Sequence, residues 1–88
     1  MRTFNQYQFY QKELSKLLKQ SGLVSFHDNE KIMGRIINLL TENKTLDKIL
    51  GLITTSEIST YGGDITEEES KIVYELIINW WRKKQYAI

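Results

Sequence analysis

The stretch TEEESKIVYELIINWWRKK, residues 66–84, has the clearest helical pattern in the sequence. Thr66 and Glu69 have the spacing of a capping box, in which two side chains bond the free amides at a helix start. The two glutamates at 67–68 suit the positive end of the helix dipole, and the three basic residues at 82–84 suit its negative end. The stretch therefore predicts a helix with both ends marked.

One face of this predicted helix carries the side chains expected of a hydrophobic core. Successive residues of an α-helix are separated by about 100°, and at that step five large apolar residues fall within an arc of about 140°. They are Ile72, Val73, Leu76, Ile77 and Trp80. We expect this arc to face the interior.

A second apolar group, Tyr74, Ile78 and Trp81, occupies the neighbouring flank beside Arg82. A surface helix normally has a narrower apolar stripe. The helix is therefore either covered on two sides within the bundle, or it presents this group to a protein partner or a second copy of the chain. Because Trp, Tyr and Arg are enriched at binding hot spots, Tyr74, Ile78, Trp81 and Arg82 are the predicted partner-binding residues. A third interpretation places Trp80, Trp81 and the basic tail on a membrane surface.

Three earlier segments also have apolar residues at helical spacing. The first ends at Gly22, since glycine can take the left-handed conformation past a last turn. Ser25 or Asp28 can cap the second, and Thr45 the third. Their predicted inward-facing residues are Phe4, Tyr7, Tyr10, Leu14, Leu17 and Leu18, then Ile32, Met33, Ile36, Ile37 and Leu40, then Leu46, Ile49, Leu50 and Ile53.

These patterns predict an all-α fold, a compact antiparallel bundle of four main helices in a single domain over residues 1–88. The sequence can also form a short extra helical turn at 56–61, which two glycines would close. Short connections favour antiparallel neighbours, and a chain of 88 residues suits one domain. The sequence has no proline, which a β domain with many tight turns would normally need.

The residue types offer little material for catalysis or metal binding. The sequence has no cysteine, which excludes disulfides and thiolate metal sites. Its single histidine, His27, lies near Asp28 and Glu30, but adjacent polar residues at a helix start are far more often solvated caps than ligands. The glutamates at 67–69 point in three directions and cannot converge on a cation. We predict a non-enzymatic protein with no catalytic residue, cofactor or metal.

No segment resembles a targeting or membrane-spanning sequence. The N-terminal residues lack the apolar core of a signal peptide, and no apolar run approaches the roughly 18–20 residues that span a bilayer. Absence of cysteine is compatible with a reducing compartment, so we expect a cytoplasmic protein. The excess of Ile, Lys and Asn is typical of AT-rich genomes, such as those of low-GC bacteria, their phages and their plasmids.

The charge is small overall but unevenly placed. The net charge of +1 indicates no strong attraction to nucleic acid or anionic lipid. Lys12, Lys16 and Lys19, however, fall at helical spacing on one face of the first predicted helix. This face is either simply solvated or a basic docking face for an acidic partner.

The stretch ITTSEISTYGG, residues 53–63, resembles the second helix of helix-turn-helix and winged-helix domains. The resemblance covers about ten residues and implies that the next helix reads the DNA major groove. That helix begins with Glu67, Glu68 and Glu69, whose carboxylates oppose the DNA phosphates. Residues 59–73, which contain the two glycines and the capping box, are therefore better explained as a loop and a strong helix cap. DNA binding stays the alternative function, and it would use the basic face of the first helix.

Size, helical pattern and lack of chemistry together favour a binding protein. We expect stoichiometric binding of another protein, as an inhibitor, immunity or accessory factor, with self-association as a variant of the same idea. The four-helix immunity proteins of bacteriocin systems are similar in size and architecture, although no motif connects this chain to them.

Overall fold

The computed structural model describes the backbone of residues 2–42 and 46–86, and the side chains of residues 8–42 and 47–84. Within these ranges the chain forms four α-helices, and no strand is present. They are α1 (Arg2–Ser21), α2 (Glu30–Thr41), α3 (Leu46–Thr55) and α4 (Glu67–Tyr86). The predicted all-α bundle is confirmed. The predicted cap at Thr45 lies outside the described residues.

The helices close around one buried apolar cluster. α1 packs mainly against α2, and α3 against α4, while contacts of α2 with α3 and of α1 with α4 join the two pairs. α1 and α2 run antiparallel: Gln11 lies against Gly34, whereas Ser15, one turn later in α1, reaches back to the carbonyl of His27. The buried residues are Leu14, Leu18, Val24, Phe26, Ile32, Met33, Ile36, Ile37, Leu40, Ile49, Ile53, Ile65, Val73 and Ile77.

The connection from α1 to α2 is a tight, well-bonded turn. Gly22 follows α1 with φ of 69°, the left-handed conformation expected there. A 3₁₀ turn then forms at Phe26–Asp28. The cap of α2 is Asn29, whose side-chain oxygen accepts from the Ile32 N–H at 3.2 Å. The prediction of Ser25 or Asp28 as this cap was wrong, because Ser25 precedes the 3₁₀ turn and Asp28 lies within it, so that α2 starts later.

α3 continues directly into a π-helical turn at Ser56–Thr60. This is the extra helical turn allowed at 56–61. Gly62, with φ of 65°, then turns the chain toward α4. The wider turn places Ser56 and Glu57 in the interior, where both are buried. Single π turns of this kind are uncommon and re-aim side chains relative to a regular helix.

α4 is rotated about its axis relative to the predicted orientation. Val73 and Ile77 are buried as expected, but Ile72 is 49% exposed, so its assignment to the core was wrong. Ser70 is buried instead, and its hydroxyl is hydrogen-bonded to that of Thr54 in α3 at 3.0 Å. This pairing turns the helix by roughly 60° toward the flank of Tyr74, at about 100° per residue.

Candidate functional site

Four aromatic rings meet where α1 lies against the last turns of α4. We call Phe9, Tyr10, Trp80 and Trp81 the aromatic cluster. Tyr10 is at its centre: its ring centroid lies 5.9 Å from that of Trp80 and 5.3 Å from that of Trp81, both edge to face. Phe9 lies 6.3 Å from Tyr10 at the outer edge. Edge-to-face pairs at these distances are the favoured aromatic geometry and hold the rings in fixed orientations.

A carboxylate links the two helices beneath these rings. Glu13 Oε1 in α1 accepts a hydrogen bond from Trp80 Nε1 at 3.2 Å and forms an ion pair with Lys84 in α4. The hydrogen bond from Lys84 is the main cause of a lowered Glu13 pKa; Trp80 contributes in the same direction, and partial burial opposes both. The Lys84 Nζ also lies 5.3 Å from the Phe9 ring centroid, a cation–π contact. Glu13 is therefore ionised and engaged at neutral pH.

The predicted partner-binding residues lie on one flank of α4 that leads to this cluster. Tyr74, Ile78 and Trp81 are each half-buried and pack against the core, and Arg82 is exposed. Their spacing of four and three residues places them on successive turns of the same flank. Trp81 joins the aromatic cluster through Tyr10. The flank is therefore partly covered within the monomer, and its contact with a partner stays a prediction.

Phe9 is the functional candidate that the sequence analysis did not find. Its side chain is 53% exposed, and its ring also contacts Tyr10 and Lys84. No local pattern marks it, since its cation–π partner Lys84 comes from the other end of the chain. Glu13 did carry a weak signal, because it is the only acidic residue among residues 1–24.

The three lysines of the predicted basic docking face are all exposed on α1. Together with residues of the 3₁₀ turn and α2 they line a shallow groove of about 570 Å³. Gln8, Gln11 and Ser15 form its α1 wall below the lysines, and its opposite side is formed by His27, Asp28, Glu30 and Met33. The structure thus brings Lys12, Lys16 and Lys19 together as expected, while their role stays a prediction.

Glu57, within the helix-turn-helix-like stretch, is hydrogen-bonded to two other parts of the chain. Glu57, only 5% exposed, turns inward and its Oε2 accepts from the backbone N–H of Ser25 at 2.8 Å. Its backbone carbonyl also accepts from the N–H of Gly63 at 3.1 Å. The glutamate thereby fixes both the turn that precedes α2 and the loop that leads to α4.

The predicted capping box at the start of α4 is confirmed. The Thr66 N–H donates to Glu69 Oε1 at 2.9 Å, and the Glu69 N–H donates to Thr66 Oγ1 at 3.1 Å. Glu67 and Glu68 are exposed on the same turn. Three carboxylates thus stabilise the positive end of the helix.

Replacing Thr66 with alanine should lower the free energy of unfolding by about 0.5–2 kcal/mol, because the Glu69 amide loses its acceptor. Chemical denaturation measures the change, and Thr60→Ala, an exposed threonine in the π turn, is the matched control. Binding of a protein partner by the folded variant should be unchanged. A gel-shift titration with host DNA fragments at two salt concentrations completes the test: folded Thr66→Ala protein that has lost a specific DNA site would make the helix-turn-helix hypothesis the leading one.

The residues described by the structure include no group of three His, Asp or Glu side chains that could hold an ion. In the same part of the chain, no helix has the length and hydrophobicity needed to cross a bilayer.

Comparison of the chain with protein-family models, curated proteins and solved structures gave no match. The interpretation of the aromatic cluster therefore depends on its geometry and chemistry.

Proposed function

We propose that this protein binds another protein stoichiometrically, as an inhibitor, immunity or accessory factor. The binding surface would be the outer side of the aromatic cluster and the adjoining flank of α4. We call this the aromatic face; its residues are Phe9, Tyr74, Ile78, Trp81 and Arg82. The observation that carries the proposal is the 53% exposure of Phe9 in a position where its ring is already fixed by Tyr10 and Lys84.

A surface of this kind favours binding because its side chains lose little conformational entropy when a partner associates. Immobilising a free side chain at an interface costs about 0.5–1.5 kcal/mol. In the aromatic cluster, Trp80 and Trp81 lose most of their side-chain freedom when the protein folds, because ring contacts and the hydrogen bond to Glu13 hold them. Little further entropy is therefore lost when a partner binds. Trp, Tyr and Arg are also the residue types that carry most of the energy at protein interfaces. Trp81, Tyr74 and Arg82 therefore match the composition of a hot spot.

The same contacts argue against proton-transfer chemistry at this surface. A general acid or base needs a pKa near the operating pH and a free path to its substrate. Glu13 has its pKa lowered by Lys84 and Trp80, away from the neutral range in which a general acid or base works best. A carboxylate held in this way orients rings and leaves the aromatic face as a binding surface.

A cytoplasmic location is part of the proposal. A protein without cysteine suits a reducing compartment, because it has no thiol to protect and no disulfide to form.

The direct test compares the alanine variant of Phe9 with the alanine variant of a second exposed apolar residue. Phe9→Ala should leave folding almost unchanged, because more than half of the ring is already in water. It should weaken the complex by about 2 kcal/mol or more if the residue is a hot spot. Ile72→Ala is the matched control, since Ile72 is similarly exposed, at 49%, on another side of α4.

The partner is first captured from the native host, then purified and mixed with the protein for titration calorimetry. Calorimetry gives both the stoichiometry and the loss of affinity. We expect a one-to-one complex that Phe9→Ala and Arg82→Ala weaken and Ile72→Ala does not. Equal affinities for all three variants, or a complex lost only on nuclease treatment, would contradict the proposal.

A further inference from the structure

The outward side of α1 carries a line of positive charge that begins beside the aromatic face. Lys12, Lys16 and Lys19 are exposed at steps of four and three residues, and Phe9 precedes Lys12 by three. Residues at these spacings lie on one side of a helix. We call the three lysines the basic ridge. Phe9 thus belongs to the aromatic face and also lies at the N-terminal end of the basic ridge.

None of the three lysines of the basic ridge forms an ion pair with a residue that the structure describes. Among the residues that the structure describes, the only ion pair joins Glu13 to Lys84. Asp28 and Glu30 line the far side of the neighbouring groove but form no ion pair with the ridge. Like charges one turn apart repel each other. The free protein therefore carries an electrostatic cost along α1 that an anionic partner would relieve.

We propose that the basic ridge binds an acidic segment of the protein partner, and that Phe9 receives an apolar side chain of that segment. This inference rests on the proposed function and specifies the chemistry of the partner. The distance from Phe9 to Lys19 along the helix is about 15 Å, at 1.5 Å per residue. An extended acidic segment of about five residues spans the same length, at about 3.3 Å per residue. The partner segment accordingly has one apolar residue followed closely by several carboxylates.

Discrete carboxylates fit this surface better than a nucleic acid or a membrane. A phosphate backbone broader than the ridge would meet the exposed carboxylates of Asp28 and Glu30 across the groove. A flat anionic bilayer would meet the same two groups, and it needs apolar side chains along the face that touches it. Along the ridge, Phe9 is the only apolar side chain. A peptide can place its charges over the lysines alone and its apolar residue over Phe9.

The test uses a synthetic fluorescent peptide that contains one leucine followed by five glutamates, with the matching glutamine peptide as a charge control. Fluorescence anisotropy measures affinity, and amide shifts in ¹⁵N NMR spectra locate the site. We expect saturable binding of the glutamate peptide at low salt, with shifts concentrated over residues 9–19. Affinity should fall as salt screens the charges. The glutamine peptide should bind at least about ten times more weakly.

Charge reversal identifies the residues. Lys12→Glu/Lys16→Glu should weaken binding of the glutamate peptide at least about tenfold. The matched control, Lys48→Glu/Lys71→Glu, reverses two exposed lysines outside the ridge and should have little effect. Circular dichroism verifies that both double variants remain helical.

Two further probes separate the alternatives. A single-stranded oligonucleotide of equal charge and vesicles of phosphatidylserine with phosphatidylcholine are titrated in the same way. Binding of either at the ridge as tightly as the peptide, or no saturable peptide binding, would overturn this inference. The proposed function would still stand if Phe9→Ala and Arg82→Ala weakened the purified complex. It would fail separately if those variants left the complex intact.

Discussion

Replacing Phe26 with alanine should lower the free energy of unfolding by about 3–5 kcal/mol, the usual cost of truncating a buried phenylalanine. The ring is fully buried, with 0% exposure, and it sits in the 3₁₀ turn that joins α1 to α2. The cavity would open next to the point where Glu57 binds the Ser25 amide. A domain of this size has a total stability of about 5–15 kcal/mol. The substitution should therefore remove a large fraction of the total stability.

Urea denaturation followed by circular dichroism measures this change. Ile72→Ala is the control, and it should cost no more than about 1 kcal/mol because the side chain is only half covered. Similar losses for the two variants would mean that the 3₁₀ turn is not part of the cooperative core.

Replacing Trp81 with alanine should cost the complex more than it costs the free protein. Trp81 is half-buried and contacts Tyr10, so the monomer should lose less than the roughly 3–5 kcal/mol of a fully buried tryptophan. Binding should weaken by about 2 kcal/mol or more, roughly 30-fold in the dissociation constant. Chemical denaturation gives the first quantity and calorimetry with the purified partner gives the second.

Trp80→Ala is the comparison, because it removes a neighbouring ring together with the hydrogen bond to Glu13. We expect it to destabilise the monomer more than Trp81→Ala does. Light scattering over a concentration series is run in parallel. Self-association lost only in Trp81→Ala would identify the partner as a second copy of the chain. If both variants destabilise the monomer equally and neither weakens binding separately, the flank of α4 belongs to the core and is not a binding surface.

The helices could be predicted from the sequence because their determinants are local. The apolar spacing of α2 and the reciprocal bonds of Thr66 with Glu69 each depend on residues within a few turns. Gly22 takes its left-handed conformation for an equally local reason. Information of this kind is present in any short window of the chain.

The rotation of α4 and the formation of the aromatic cluster both depend on contacts between different helices. The apolar residues of α4 cover too wide an arc to define a single inward direction, and the bond from Ser70 to Thr54 in α3 selects one. Asn29 was missed as a cap because the preceding residues could form a competing 3₁₀ turn. The position of the Phe9 ring depends on its contacts with Tyr10 and Lys84, and Lys84 comes from the other end of the chain. Pattern alone cannot place side chains that meet from opposite ends of the sequence.

The bond between Glu13 and Trp80 also has a consequence for the order of assembly. Its two residues are 67 positions apart, whereas Thr54 and Ser70, which join α3 to α4, are separated by only 16. The entropic penalty of loop closure grows with the length of chain between two contacts, so the shorter loop is the easier one to close first. We therefore expect the joint between α1 and α4 to form late in folding. A nascent chain that has not yet delivered its last helix lacks both tryptophans, so the aromatic cluster is complete only after α4 has docked on α1.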